Sequence, residues 1–204
     1  MATDAPAAHS VGATKAYGAG DTQVLALNDV TVAFPSARFT AIMGPSGSGK
    51  STLMHCMAGL DTLTAGQVFI GDTDLSTLSD KERTLLRREQ VGFVFQAFNL
   101  IPTLTASENI TLPLDLGGTK PDQGWLDTVI GTVGLTDRLS HRPSELSGGQ
   151  QQRVAVARAM ATRPQIIFAD EPTGNLDSTS GAEVLSFMRS AVDDYGKTVV
   201  MVTH

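Results

Sequence analysis

The feature that most constrains this chain is the glycine-rich segment at residues 44–52, which reads GPSGSGKST. It matches the pattern GxxxxGK[ST], in which glycines let the backbone bend until successive N–H groups face an anion. The apolar run at residues 39–43 precedes the segment, and a helix is predicted at residues 50–58 after it. A strand, a glycine-rich turn and a helix N-terminus in this order predict a phosphate-binding loop.

The side chains of this segment suit a nucleotide with its metal ion. We expect the Lys50 ammonium to reach the β- and γ-phosphates and the Ser51 hydroxyl to ligate Mg²⁺. The structural alternative is a flexible Gly/Ser turn, which the position between a predicted strand and a predicted helix disfavours. The residues expected to bind the nucleotide here are Gly44, Ser46, Gly47, Ser48, Gly49, Lys50, Ser51 and Thr52.

Two neighbouring carboxylates, Asp170 and Glu171, follow a second apolar run at residues 165–169. Adjacent residues of a strand point to opposite faces, so the two carboxylates can serve two purposes. Asp170 suits the coordination shell of Mg²⁺, and Glu171 suits a general base that polarises the attacking water. The alternative is an acidic strand end that faces solvent, which the presence of a phosphate-binding loop disfavours.

The pattern of apolar runs predicts an α/β fold. The runs at residues 39–43, 165–169 and 198–202 are typical of strands covered on both faces, and ligands bind beyond the carboxyl ends of such strands. Residues 24–34 and 67–70 suit antiparallel strands, while residues 97–162 are mostly helical. We predict a single domain of residues 1–204: a P-loop NTPase core with a mostly parallel sheet, an N-terminal antiparallel β subdomain and a helical subdomain inserted at about residues 97–162. Further helices are predicted at residues 80–90, 106–114, 123–133, 148–161 and 178–192.

The segment LSGGQQQR at residues 146–153 opens one of these helices. Ser147 and Gln150 form a capping box, which is the structural alternative, but a cap does not need Gly148 and Gly149, which cost up to about 1 kcal/mol each relative to alanine. We interpret these four residues as a second phosphate site with bare backbone at a helix N-terminus. One ATP cannot easily occupy two phosphate sites of one subunit, so the sequence predicts a head-to-tail dimer that encloses two ATP molecules.

These motifs and their order resemble the nucleotide-binding domains of ABC transporters along nearly the whole chain. The resemblance implies that Tyr17 stacks on adenine, that Gln96 contacts Mg²⁺ and the lytic water and senses the permease, that Asp177 contacts the partner subunit and that His204 contacts the γ-phosphate. Each has a structural alternative: Tyr17 as a strand-end aromatic, Gln96 as a polar loop residue and His204 as an exposed histidine.

The resemblance also implies a function and partners. It implies an ATPase that acts as a dimer, expected to be a homodimer, and powers an integral membrane permease from the cytoplasmic face of the cell membrane. The segment EPTGNLDS at residues 171–178 and FNL at residues 98–100 are most similar to a branch that includes lipoprotein-releasing, macrolide- or peptide-exporting and cell-division ATPases. Export or lipoprotein or peptide handling is therefore expected, and a regulatory module of the cell-division type is the alternative.

Composition and length exclude several other classes. The net charge of −6 disfavours a nucleic-acid partner, and no apolar run approaches the length that crosses a bilayer. Residues 1–13 lack the pattern of a secretory signal and are expected to form a frayed tail. The lone Cys56 lies in an apolar run and is expected to be buried packing. ABC domains normally continue past the strand at residues 198–202, so we expect the C-terminal part of the usual domain to be missing.

Overall fold

The computed structural model describes residues 5–203, in two β-sheets with six α-helices around them. No helix within this range is both long and apolar enough to cross a membrane. The elements are β1 (Pro6–Tyr17), β2 (Val24–Pro35), β3 (Phe39–Met43), α1 (Lys50–Met57), β4 (Ala65–Ile70), β5 (Thr73–Asp74), α2 (Asp80–Gln90), β6 (Val91–Phe95), α3 (Ala106–Gly117), α4 (Gln123–Thr132), α5 (Gly148–Ala161), β7 (Ile166–Asp170), α6 (Ser178–Asp193) and β8 (Thr198–Thr203).

The parallel sheet has the strand order β3-β8-β7-β6. Its two inner strands, β7 and β8, are almost wholly buried, as continuous apolar runs covered on both faces should be. Met43 pairs with Thr203, and Asp170 pairs with both Val202 and Phe95, so all four strands end at the same edge. The α/β fold predicted from the sequence is therefore confirmed, and the loops that leave this edge carry most of the candidate site.

The second sheet is antiparallel, with the order β2-β1-β4-β5. The expectation of a frayed tail over residues 1–13 is wrong for residues 6–13, which belong to the long strand β1, while residues 1–4 lie outside the described part. Ala8 and Ala13 are fully buried, and the Ser10 hydroxyl donates a hydrogen bond to the Val30 carbonyl oxygen at 2.9 Å. The strand is hard to recognise because small residues fill its buried positions, where strands normally carry large apolar ones.

Helices α3, α4 and α5 lie between β6 and β7 in the chain and share a core with the parallel sheet. The Trp125 indole of α4 donates to the Met160 carbonyl oxygen of α5 at 2.9 Å. Helix α3 runs to Gly117, three residues past the predicted end at 114, although Pro113 lies inside it. Gly118, in the left-handed conformation, ends it with a backbone hydrogen bond to Asp115, so the glycine and not the proline sets the boundary.

Gly92 sets the distance between β6 and α5, and its replacement tests that packing. A Cβ at this position would lie 2.5 Å from the Ala159 carbonyl oxygen, a backbone atom that moves only if the whole helix moves. We expect Gly92→Ala to lower the free energy of unfolding by about 1–3 kcal/mol, measured by urea denaturation.

The matched control is Gly131→Ala in α4. A Cβ there meets nothing within 4 Å, so the substitution should leave stability unchanged or raise it by up to about 1 kcal/mol. Equal effects of the two substitutions would contradict the close contact between β6 and α5.

Candidate functional site

The glycine-rich segment forms the connection from β3 to α1. The Ser48 N–H closes a turn on the Pro45 carbonyl oxygen at 3.3 Å, and the Leu53 N–H starts the helix on the Gly49 carbonyl oxygen at 2.8 Å. Gly49 adopts the left-handed conformation, with φ of 86°, and a Cβ on it would lie 2.4 Å from the Ala26 carbonyl oxygen of β2. Glycine is therefore required at position 49 by both backbone conformation and packing.

Lys50 places a positive charge inside this loop. Its side chain is buried, with 8% exposed, and the ammonium donates hydrogen bonds of 2.8 Å to the carbonyl oxygens of Gly44 and Pro45. The charge therefore lies beside the N-terminus of α1, where the helix dipole is also positive. This arrangement suits a bound phosphate group.

Ser51 and Asp170 bring α1 and the end of β7 together. The Ser51 hydroxyl donates to Asp170 Oδ1 at 3.0 Å, and His55 Nε2 lies 3.4 Å from Asp170 Oδ2. Burial raises the pKa of Asp170, but hydrogen bonds from His55 and Ser51 outweigh it and hold that pKa below its usual value. An ionised carboxylate beside a hydroxyl is a pair of hard oxygen donors of the kind that Mg²⁺ takes together with phosphate and water.

His55 is a member of this cluster that no motif singles out. It stands four residues after Ser51 on α1, so both side chains lie on the helix face that meets β7. The i, i+4 spacing from Ser51 is the signal that could have placed it there. Among the described residues, no group of three or more His, Cys, Asp or Glu side chains could hold a metal ion.

Glu171 follows Asp170 in a strained turn. It adopts the left-handed conformation with φ of 45°, its N–H donates to the Val202 carbonyl oxygen at 3.1 Å, and its carbonyl oxygen accepts from the Gly174 N–H at 3.0 Å. A non-glycine residue in this conformation is uncommon and persists only where its surroundings hold it. Here the turn between β7 and α6 and the pairing with β8 hold it.

Gln96 packs on the same turn. Its carbonyl oxygen accepts from Asn175 Nδ2 at 3.1 Å, and its side-chain amide lies 3.4 Å from Asn175 Oδ1. A Cβ on Gly174 would lie 2.6 Å from Gln96 Nε2, so glycine at 174 leaves the room that the amide occupies. The structure thus brings Gln96 beside the turn that carries Glu171, and its amide is engaged by Asn175.

Two side chains of α5, both missed from the sequence, tie these loops to that helix. Gln152 is fully buried, and its Nε2 donates to the carbonyl oxygens of Phe95 and Pro172 at 3.2 and 2.7 Å. Arg158 donates at 2.9 and 2.6 Å to the carbonyl oxygens of Phe98 and Asn99. A glutamine on the buried face of an otherwise apolar helix is the signal that could have marked the first of these contacts.

The SGGQ segment has the capping box that the sequence indicates. Ser147 Oγ accepts from the Gln150 N–H at 3.3 Å, and Gln150 Oε1 accepts from the Ser147 N–H at 2.9 Å. Gly149 also has a packing reason within the chain: a Cβ there would lie 2.7 Å from Ser180 Oγ, so this glycine admits helix α6. Gly148 has only ordinary contacts, at 3.7 Å, and Ser147 is exposed. The role of this segment as a second phosphate site stays a prediction.

The other predicted residues lie apart from these. Tyr17 ends β1 with 43% of its surface exposed, and its hydroxyl donates to Asp61 Oδ2 at 2.7 Å. Asp177 is exposed and caps α6 by accepting hydrogen bonds from the N–H groups of Thr179 and Ser180. The bond from the Ser180 N–H is the main reason that the pKa of Asp177 lies below its usual value. His204 lies outside the described residues.

Comparisons with known proteins agree with this site. The family model described as ABC transporter matches residues 27–174. An ABC transporter ATP-binding protein of Methanocaldococcus jannaschii, MJ0796, is 46% identical over 94% of this chain and 84% of its own length. The macrolide export ATP-binding/permease protein MacB of Bdellovibrio bacteriovorus is 45% identical over 95% of this chain, which spans only 30% of that longer protein.

A solved structure gives the same family and the same fold. The dimeric post-hydrolysis structure of the MJ0796 cassette, bound to ADP and phosphate, superimposes with a TM-score of 0.87 at 42% identity and covers 97% of this chain and 88% of that one. The match to the family model extends from β2 through the phosphate-binding loop and the SGGQ segment to the turn after Glu171. This chain therefore belongs to the ABC transporter family, as an ATP-binding domain with ATPase activity.

Proposed function

We propose that this chain is a motor subunit that hydrolyses ATP between two head-to-tail copies of itself and so drives an integral membrane permease. The observation that carries the proposal is the presence of two phosphate-type helix N-termini, of α1 and α5, in one chain. The N-terminus of α1 contacts β2 at Gly49 and β7 through Ser51, and the N-terminus of α5 contacts α6 at Gly149. A second copy supplies the α5 N-terminus that completes each site, and the dimeric MJ0796 structure supports this arrangement.

The residues of the parallel-sheet edge divide the chemistry between them. Lys50 and the loop backbone bind the phosphates, Ser51 and Asp170 hold Mg²⁺, and Tyr17 stacks on the adenine. The metal, when bound, supplies positive charge that neutralises the phosphate oxygens. Glu171, in the turn that follows β7 at the sheet edge, orients and deprotonates the attacking water. His204, the next residue in the sequence after β8, is proposed to contact the γ-phosphate.

Helix α5 connects hydrolysis to movement. Its N-terminus, with Ser147, Gly148, Gly149 and Gln150, faces the nucleotide of the partner, with Asp177 at the same dimer contact. Gln152 donates hydrogen bonds to the backbone next to Gln96 and to the backbone next to Glu171, so a shift of either loop displaces the helix. Release of the γ-phosphate therefore loosens the dimer and moves the helical segment of residues 97–162 against the parallel sheet.

The permease docks, in this proposal, in a groove between α2, β6, α3 and α5. The groove has a volume of about 460 Å³ and a mainly apolar lining that includes Phe93, Phe95 and Leu112. Its polar rim carries three arginines, Arg87, Arg88 and Arg158. An apolar segment with an acidic residue fits this lining, and Arg158 joins the groove to the backbone beyond Gln96.

The name of one relative supports a proposal for the direction of transport and the location. MacB is named a macrolide export ATP-binding/permease protein, in which both parts belong to one chain. We infer that this chain serves an exporter of the same kind and is held on the inner face of the cell membrane by its permease.

The substitution Glu171→Gln tests the catalytic assignment. An amide accepts a proton far less readily than a carboxylate, so the steady-state ATPase rate should fall by about 10²–10⁴-fold. ATP binding should persist, and the variant should accumulate as a dimer in ATP by light scattering. Lys50→Ala is the contrasting variant, with a Kd for ATP raised about tenfold or more and no dimer. A monomeric Glu171→Gln protein in saturating ATP would contradict the shared site.

Substitutions at the two glycines of α5 should affect different properties: one should affect dimer formation and the other folding stability. The Cβ added by Gly148→Asp makes only ordinary contacts, 3.7 Å from Leu176 and Phe98, and its carboxylate adds a negative charge at a helix N-terminus, so stability should not fall. The carboxylate should, however, repel the partner's γ-phosphate and abolish the ATP-dependent dimer. Gly149→Ala should instead lower the free energy of unfolding by about 1–3 kcal/mol, because it strikes Ser180.

The rescue variant for Gly149→Ala is Ser180→Gly, which removes both atoms that lie under 3 Å from the added Cβ. Urea denaturation should show Gly149→Ala to be nearly neutral in the Ser180→Gly background. A Gly148→Asp protein that still dimerises in ATP would contradict the role of the α5 N-terminus.

The groove is tested by Arg88→Glu, which reverses one charge of its rim. Binding of the detergent-solubilised permease that copurifies with the wild-type subunit should weaken by about tenfold, while the ATPase rate of the isolated subunit stays unchanged. The control is Lys81→Glu, an exposed charge reversal on the same helix that does not line the groove. Equal permease binding by both variants would rule out docking at this rim.

A further inference from the structure

Tyr17 is held by a compact charged cluster that no sequence motif includes. The Tyr17 hydroxyl donates to one oxygen of Asp61, and the Lys15 ammonium donates to the other, both at 2.7 Å. The same ammonium donates to the Thr62 carbonyl oxygen at 2.6 Å. Both oxygens of the Asp61 carboxylate are thus used, and the phenol is held by a charge-assisted hydrogen bond.

The cluster leaves one side of the aromatic ring available. Lys15 is buried, with 9% exposed, and its ammonium lies over the Tyr17 ring at 4.8 Å from the centroid. This cation–π contact closes one face of the ring. With 43% of the residue exposed, the ring remains accessible to a planar ligand.

Asp61 is in turn fixed to the helix that begins at the phosphate-binding loop. The N–H groups of Leu60 and Asp61 donate to the His55 carbonyl oxygen near the end of α1, at 2.8 and 3.2 Å. Helix α1 starts at Lys50. A rigid path therefore runs from the Lys50 end of α1, through the helix and the Asp61 carboxylate, to the phenol of Tyr17.

We propose that Asp61 and Lys15 are positioning residues for the nucleotide base: they hold the Tyr17 ring, with one face open, at a fixed distance from the phosphate-binding loop. The inference rests on the proposed stacking of adenine on Tyr17. Preorganisation of this kind removes the entropy cost of ordering the ring when the base binds. The loss of either hydrogen-bonding partner should therefore weaken the base contact and leave the phosphate contact intact.

The experiment compares two ligands, ATP and inorganic tripolyphosphate, by isothermal titration calorimetry with Mg²⁺ present. Asp61→Asn and Tyr17→Phe each weaken or remove the same hydrogen bond, so each should raise the Kd for ATP by about three- to tenfold. The Kd for tripolyphosphate, which has no base, should stay within about twofold of the wild-type value. The double variant should be no weaker than the weaker single variant, because the two act on one interaction.

Steady-state ATPase assays give an independent readout. A positioning role raises KM for ATP and leaves kcat unchanged, whereas a general loss of structure lowers kcat as well. The control is Asp72→Asn, an exposed carboxylate in the β4–β5 turn, which should change neither ligand's Kd.

Tyr17→Ala separates this inference from the proposed function. If that variant binds ATP like the wild type, the base does not stack on Tyr17, and the proposed stacking and the positioning role both fail. If Tyr17→Ala weakens ATP alone while Asp61→Asn and Tyr17→Phe do not, stacking stands and only the positioning role is overturned. Equal weakening of ATP and tripolyphosphate by Asp61→Asn would also overturn it, because Asp61 would then act through the phosphate-binding loop.

Discussion

The register of the parallel sheet is the constraint on which the rest of this structure depends. Because β3, β8, β7 and β6 run in the same direction and end level with one another, the loops that follow Met43, Phe95 and Asp170 leave from one edge. A shift of one residue in any pairing would turn the buried side chains of that strand toward the wrong face. The hydrophobic core therefore fixes the relative positions of Lys50, Gln96 and Glu171, although none of the three belongs to that core.

Helix α5 connects the parallel sheet to the loops at its edge. It touches β6 at Gly92, and the single amide nitrogen of Gln152 holds the backbone beside two different loops. Within residues 5–203, Gln152 Oε1 is buried and has no hydrogen-bond partner, which costs free energy that a leucine would not. This cost favours the interpretation that Gln152 sets the positions of the two loops relative to each other, and does not serve stability alone.

The sequence predicts three of the four strands of the parallel sheet because local signals agree there, but it does not single out β6. The bounds of β3, α2 and α5 match their predicted ranges, since each combines apolar periodicity with a clear cap or turn. Strand β1 was missed because alanine and serine fill its buried positions, and those residues give no strand signal without their neighbours. Its burial depends on pairing with β2 and β4, which no local pattern can display.

Some features of the candidate site are likewise encoded in local sequence motifs, and others depend on contacts between residues far apart in the sequence. The phosphate-binding loop and the capping box of Ser147 are local, so the sequence contains them in full. The contact between Gly149 and Ser180 joins residues 31 positions apart, and the one between Tyr17 and Asp61 joins residues 44 apart. A motif can show that glycine or tyrosine stands at such a position, but the atom that it meets is set by the tertiary fold.

In the proposed binding mode, the placement of α1 brings the nucleotide into contact with both sheets. Its buried residues, among them Met54 and Met57, pack in the core that joins the antiparallel sheet to the inner strands of the parallel one. Its first turn meets the parallel sheet through Ser51, and the residues after its last turn meet β1 through Asp61. A ligand bound at both ends of α1 thus spans the junction of the two sheets. The ligand can interact with both ends of α1 only when the two sheets keep their relative position. Binding must therefore favour that arrangement over any other.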